Sequence, residues 1–525
     1  MTLRAACGIT VTVVVSVLLV VAGTAQVQPV LGNEVQHDIS PALSAIQPLA
    51  PRGDDQELHP VRLLPLPEAR GPALAPDPLL QRQATRKLLI ETPVAFEGIG
   101  TGNPKGFRVG GAPSDTAGAA GPDHYVQWIN TSFAVFDKAK GTLLYGPAAG
   151  NTLWSNFGGP CQRVNDGDPI VLYDRLAGRW LMSQFAVNDD EGFFQCVAVS
   201  RTSDPLGAYA RYAFKYEDFN DYPKFGVWPD GYYVTYNMFR GSTGPFVRGT
   251  VCALEREKML NGEAARTICA DLPRQGGLLP ADLDGKVPPP PGTPNYIVNF
   301  GPDTLNLWRF SVNWTTPANS AFTGPERISV NSFDPACNGG ACVPQPGSTA
   351  GPLDTLGDRL MFRAAYRTFN THRSLVVNHS VTATAGSGGS TTGIRWYELR
   401  NLEGTPVVHQ QSTYAPDLTF RWMGGVAMDK LGNMLMGYSA SSAKIHPSIR
   451  ITGRNAGDPL NTMAAEVIVT SGAGSQSISR WGDYTSLTLD PVDDCTFWFS
   501  TQYVRTDGRF TWRTQISRVK FTDCN

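Results

Sequence analysis

Six positions along this 525-residue chain place a carboxylate a few residues ahead of a strand-like run: Asp115, Asp168, Asp221, Asp282 or Asp284, Asp358 and Asp483. Carboxylates recurring in register can do two kinds of chemistry if the fold brings them together. Asp115, Asp168, Asp358 and Asp483 could hold a hard cation, with Ca²⁺ the candidate because it takes several carboxylate and carbonyl oxygens. Asp168, Asp221 and Asp483, with Tyr484, could instead supply the proton donor and the base or nucleophile that glycoside cleavage requires. Crowded carboxylates repel and need compensation. Lys224, Arg359, Arg421 and Arg480 lie in the same stretches and are candidate ligand-binding cations, the arginines through a fork that matches a sugar carboxylate. A plainer role competes with all of this. A short Asp at a strand entry commonly caps its own turn by accepting backbone N–H bonds.

The elements that would position these residues repeat. Asp168-Pro-Ile-Val-Leu-Tyr-Asp174 turns into Arg179-Trp-Leu-Met-Ser183, and Phe225-Gly-Val-Trp-Pro-Asp230 turns into Tyr232-Tyr-Val-Thr-Tyr236. Gly425-Val-Ala-Met-Asp429 and Ser486-Leu-Thr-Leu-Asp490 begin two more such hairpins. Asp123 to Asp174 spans 51 residues, Asp174 to Asp230 spans 56 and Asp429 to Asp490 spans 61. Those intervals hold four strands with generous loops, the content of one propeller blade. The fold expected is an all-β, seven-bladed β-propeller over residues 95–525. Six or eight blades stay open because the middle units are irregular. A pair of sandwich domains is the other all-β reading, and the repeat argues against it. Leu254 to Ala265 is the best short helix candidate.

Residues 1–25 read as a signal peptide: Arg4, an apolar run from Ile9 to Val21, and small residues up to Ala25. No later stretch is apolar and long enough for a bilayer-spanning helix. Residues 26–94 are interrupted by ten prolines from Pro41 to Pro93. They read as a disordered linker or pro-segment that wraps or dangles. Cys7 falls in the leader, which leaves an even number of cysteines. Pairing of sequence neighbours predicts Cys161–Cys196, Cys252–Cys269, Cys337–Cys342 and Cys495–Cys524, although other connectivities stay open. The location expected is extracellular, with the periplasm as the other oxidising compartment.

The net charge of -2 gives no basic footprint for nucleic acid. The chain has no Gly-x-Ser-x-Gly elbow, no His-Glu-x-x-His and no Gly-rich phosphate loop. Val164-Asn-Asp-Gly-Asp168 contains part of a calcium loop but lacks the closing Glu. Thr506-Asp-Gly-Arg-Phe-Thr-Trp512 resembles a degenerate Asp-box, a structural turn of sialidase-like propellers.

Gly167 to Asp174, Asp221 to Asp230, Leu279-Pro-Ala-Asp-Leu-Asp-Gly285, Arg480-Trp-Gly-Asp-Tyr484 and Asp493 to Trp498 together resemble a group of large secreted bacterial proteins. Their shape is expected to be a sialidase-like propeller. The resemblance covers about residues 95 to 523. It implies fold and secretion, and it carries no activity. The function expected is a monomeric, secreted propeller that binds an extracellular glycan or protein, with Ca²⁺ as a candidate aid. The alternative is a glycoside hydrolase or polysaccharide lyase.

Overall fold

The computed structural model describes residues 26–50, 56–66, 76–84, 86–188, 190–347, 351–384 and 390–525. The expected leader, Asp189 and the Gly/Ser-rich stretch at 386–389 lie outside them.

Among the described residues, strands dominate and pair almost entirely antiparallel. The first unit runs Ala117–Ala120, His124–Ile129, Ser132–Asp137 and Leu143–Ala149, each strand paired with the next. Six further four-stranded units follow, with first strands Ile170–Asp174, Phe219–Trp228, Leu279–Asp284, Met361–Thr368, Phe420–Met428 and Ser486–Leu489. Each first strand neighbours that of the next unit, and the seventh neighbours the first, so the first strands form a closed ring. Two of them, Leu279–Asp284 and Met361–Thr368, pair in parallel and fuse their units into one ten-stranded sheet.

The hairpin aspartates explain why these segments turn where they do. Asp174 Oδ1 accepts the backbone N–H groups of Leu176 and Ala177 at 3.0 and 3.1 Å. Asp429 Oδ1 accepts Leu431 and Asn433 N–H, both at 2.9 Å, and Asp490 Oδ1 accepts Val492 N–H at 2.9 Å. A short acceptor that satisfies its own turn is what Asp offers here. In the Asp-box-like turn, Asp507 Oδ1 accepts Ser475 N–H at 2.7 Å and Thr511 donates to the Thr506 carbonyl. The aromatic residues at unit positions are packing elements: ten of the eleven tryptophans are fully buried.

The Pro-rich N-terminal stretch is built into the assembly wherever it is described. Gln26–Val27, Val30–Asn33 and Gln36–Ile39 add edge strands to the fourth, third and second units. Leu80–Gln81 adds to the fifth. Val94–Glu97 supplies the seventh unit's fourth strand by pairing with Trp512–Lys520. Unpaired sheet edges are templates for aggregation, and added strands cover them. Prolines interrupt any long element, but strands of two to four residues fit between them.

Four disulfides form, with the pairing the sequence predicts: Cys161–Cys196, Cys252–Cys269, Cys337–Cys342 and Cys495–Cys524. The helix expected near Leu254 is the short Arg256–Asn261. No described helix is long and apolar enough to cross a membrane.

Candidate functional site

The first strands of the ring enter from one rim. Asp115, Asp168, Asp221 and Asp483 therefore gather around a single pocket of about 370 Å³. Arg359, Arg480, Tyr222, Phe185, Phe219 and Asn130 also line it. Several of these residues hold a left-handed backbone: Asp115 at φ 44°, Asp168 at 51°, Tyr222 at 56°, Leu356 at 43° and Asp483 at 61°. Bulky residues rarely occupy that region, and such positions concentrate at functional sites.

The carboxylates differ in what they already hold. Asp168 Oδ2 accepts the Tyr222 N–H at 2.9 Å. Asp483 pairs with Arg480 at 2.7 Å. Asp115 Oδ2 accepts from Asn130 Nδ2 at 2.8 Å, while Asp115 Oδ1 and Asn130 Oδ1 have no hydrogen-bond partner among the described residues. Asp221 faces the pocket, with Arg62 Nε 4.0 Å from its Oδ2. Burial, reinforced by the Asp168 charge, raises the Asp221 carboxyl to about 7. Burial also pushes Asp115 and Asp168 upward, with the neighbouring Asp483 charge adding to each.

The expected ligand-binding cations take other roles. Lys224 is fully buried beneath the pocket, its ammonium 3.5 Å from the Tyr222 ring centre and 3.8 Å from that of Tyr484. Burial lowers its pKa to about 8. It balances Asp168 and Asp115 from inside. Arg359 is held by Asp358 through two bonds of 2.8 and 3.1 Å. Arg480 is held between Asp354 and Asp483, both at 2.7 Å. Arg421, in the sixth unit, does not line the pocket and is paired with Glu466 at 2.9 Å.

Other expected site residues are likewise reassigned. Tyr484 is buried rather than pocket-lining, and its hydroxyl lies 2.8 Å from the Pro169 carbonyl and 3.3 Å from Asp168 Oδ1, so the structure does bring it to Asp168. Asp358 is committed to Arg359 and to the Leu64 N–H at 2.7 Å. Asp282 and Asp284 lie further along their strand and clasp Arg363 at 2.6 and 2.8 Å. Among the described residues no three His, Cys, Asp or Glu side chains come together as a metal-binding group.

Residues 56–66 cross the pocket mouth as a strap, which the sequence reading did not anticipate. Glu57–Leu58 pairs in parallel with Gly111–Ala112. The His59 carbonyl accepts Arg480 Nε at 2.7 Å, and the Arg62 carbonyl accepts Arg359 Nη2 at 2.8 Å. The Arg62 guanidinium carbon lies 4.9 Å from the Phe219 ring centre and 5.1 Å from that of Phe239. Leu64 packs into a cluster of Phe185, Phe193, Phe219 and Phe239. Charged and apolar residues at His59 to Leu64, set between Pro-rich flanks, were the available signal. Asp354, 126 residues from its partner Arg480, left no local signal.

No family model matches the chain, and no curated protein matches it. Among solved structures, the chain is similar to an exo-beta-1,3-galactanase from Phanerochaete chrysosporium, with TM-score 0.31, 11% identity, and coverage of 83% of this chain and 97% of that one. It is similar to a polysaccharide lyase described as an ulvan lyase, with TM-score 0.33, 11% identity and coverage of 81% and 96%. It is also similar to the extracellular domains 1-2 of Drosophila Semaphorin 1b, with TM-score 0.31, 8% identity and coverage of 85% and 89%. Nothing about the pocket's chemistry follows from these likenesses.

Proposed function

We propose that this chain is a secreted, seven-bladed β-propeller that binds an extracellular glycan in the pocket at one end of its channel. The closed ring of seven first strands supports the architecture, and four disulfides support an oxidising compartment. The observation that carries the binding reading is the unpartnered pair Asp115 Oδ1 and Asn130 Oδ1 in a cavity walled by Phe185, Phe219 and Tyr222. Sugars offer hydroxyl donors on a ring with apolar faces, and small-ligand pockets combine apolar walls with a few polar groups. The test is a glycan array probed with the full secreted chain, wild type and Asp221→Asn. Binding to a defined glycan that the variant loses is expected. A blank array for a correctly folded wild type overturns the reading.

A second reading rests on Asp221. Its carboxyl, raised to about 7 by burial, is suited to donate a proton near neutral pH. Asp168 or Asp115 would then be the second carboxyl that a glycosidase needs. Release of reducing ends from the bound glycan, lost in Asp221→Asn while binding is retained, would establish hydrolysis.

A further inference from the structure

The pocket is unbalanced in charge and in what its groups have left to offer. Its walls carry six carboxyl groups (Glu57, Asp115, Asp166, Asp168, Asp221 and Asp483) against three guanidinium groups, Arg62, Arg359 and Arg480, with the Lys224 ammonium buried beneath as a fourth cation. Two of those arginines are committed to carboxylates, while Arg62 donates through Nη2 to the Ser242 carbonyl. Arg359 is held by Asp358 and the Arg62 carbonyl, and Arg480 by Asp354, Asp483 and the His59 carbonyl. Guanidinium groups already in bidentate pairs have little left for a ligand carboxylate or sulfate. What remains is acceptor capacity on Asp115 and Asn130, which are 4 and 3 % exposed, together with the Asp221 carboxylate.

The third arginine shows what this surface accepts. Arg62 belongs to the strap, and its guanidinium stacks on Phe219 with Asp221 beside it. An aromatic face next to a carboxylate is a site for an organic cation. The volume of about 370 Å³ falls in the range of small-molecule pockets, roughly 300–1,000 Å³, and far exceeds the need of a bare ion.

We infer that the glycan ligand is cationic, an amino sugar with a free ammonium group that engages Asp221 and Asp115 against the Phe219 face and competes with Arg62 for that place. The inference rests on the glycan-binding reading. It reverses the sequence expectation of an anionic sugar held by Arg359 and Arg480.

The experiment is isothermal titration of the full secreted chain with four probes. These are an oligomer of β-1,4-linked glucosamine, its N-acetylated counterpart, an oligoglucuronate and spermidine. The glucosamine oligomer is expected to bind about 10-fold or more tighter than the N-acetylated form, and Asp221→Asn to weaken it by about as much. Arg62→Ala is expected to tighten amine binding by removing the internal competitor. If Arg62 instead contacted an anionic ligand, the same change would weaken binding. Asp115→Asn tests the buried acceptor. Because it could disturb folding, Asp221→Asn and Arg62→Ala, both at the pocket's open side, carry the decision. Equal or tighter binding of the N-acetylated or glucuronate oligomer would overturn the inference and leave the glycan reading standing. Binding of spermidine alone, with the same variant pattern, would remove the glycan reading and keep the cation site. No binding by any probe would overturn both.

Discussion

The Lys224 ammonium lies 3.5 Å from the centre of the Tyr222 ring, beneath the floor of an acidic pocket. The amine is fully buried, and burial brings its pKa to about 8, against the upward pull of Asp168, Asp115, Asp483 and Asp221. In the unfolded chain the amine keeps its proton to about 10.5. Between those values the unfolded state binds more protons, so this group makes stability rise with pH. Urea unfolding of wild type and Lys224→Met at pH 8 and pH 10 should show the difference shifting in favour of wild type by about 2 kcal/mol. A constant difference would mean that the amine titrates as it does in water.

Asp221 predicts the opposite trend. Its carboxyl is raised from 3.8 to about 7, so between those values the folded state holds the extra proton. Stability from this group is greatest at acid pH, falls as pH rises from about 4 to 7, and stays reduced above. Asp168, Asp483, Arg62 and Arg359 all act on it electrostatically. Asp221→Asn removes the penalty. The variant should match wild type near pH 4.5 and exceed it by about 1–2 kcal/mol at pH 8. Stabilisation by loss of a pocket carboxylate is the trade expected of a residue kept for binding. Equal stability at both pH values would refute the raised carboxyl.

The last unit is closed by a strand from the N-terminal part of the chain. Val94–Glu97 pairs with Trp512–Lys520, and Cys495–Cys524 brackets the two preceding strands across 29 residues. Cross-linking a loop of that length removes unfolded-state entropy worth about 3–4 kcal/mol. The double change Cys495→Ala, Cys524→Ala should lower unfolding stability by about that much. A loss below about 1 kcal/mol would mean that the pairing with Val94–Glu97 alone holds the closure.

The repeat made much of this visible in advance. Asp115, Asp168, Asp221 and Asp483 were found together because each precedes or opens the first strand of its unit, and equivalent positions in a ring meet at one rim. Periodicity misled at Arg421, whose unit places it against Glu466 instead of the channel. It also misled at Asp282 and Asp284, which sit too far along their strand. The roles of Arg359 and Arg480 were hidden because a guanidinium looks available until its carboxylate partner is located. Asp354 and Asp358 became visible as partners only in three dimensions. The strap was hard to read for a different reason: short strands between prolines carry no period, and the Asp358, Arg359 and Arg480 side chains that hold it lie far along the chain.

Leu64 anchors that strap. It is 6 % exposed, sits among Phe185, Phe193, Phe219 and Phe239, and donates its N–H to Asp358 at 2.7 Å. Leu64→Ala keeps the backbone bond but removes the apolar anchor, a change worth about 2–4 kcal/mol in a packed site. The rest of the strap's hold is polar and local: two arginine-to-carbonyl bonds, donations from Arg62 to the Ser242 carbonyl and from Gln56 to the Val109 carbonyl, the Arg62 stacking on Phe219 and Phe239, and a two-residue parallel pairing. The loss should therefore appear as local opening more than as global unfolding. Trypsin should cut after Arg62 faster in Leu64→Ala than in wild type, while the global urea midpoint moves little. Amine ligands, if they compete with Arg62, should speed the same cleavage in wild type. Unchanged cleavage in Leu64→Ala would show that the strap is pinned by Arg359 and Arg480, and double replacement of those arginines would then be the change that frees it.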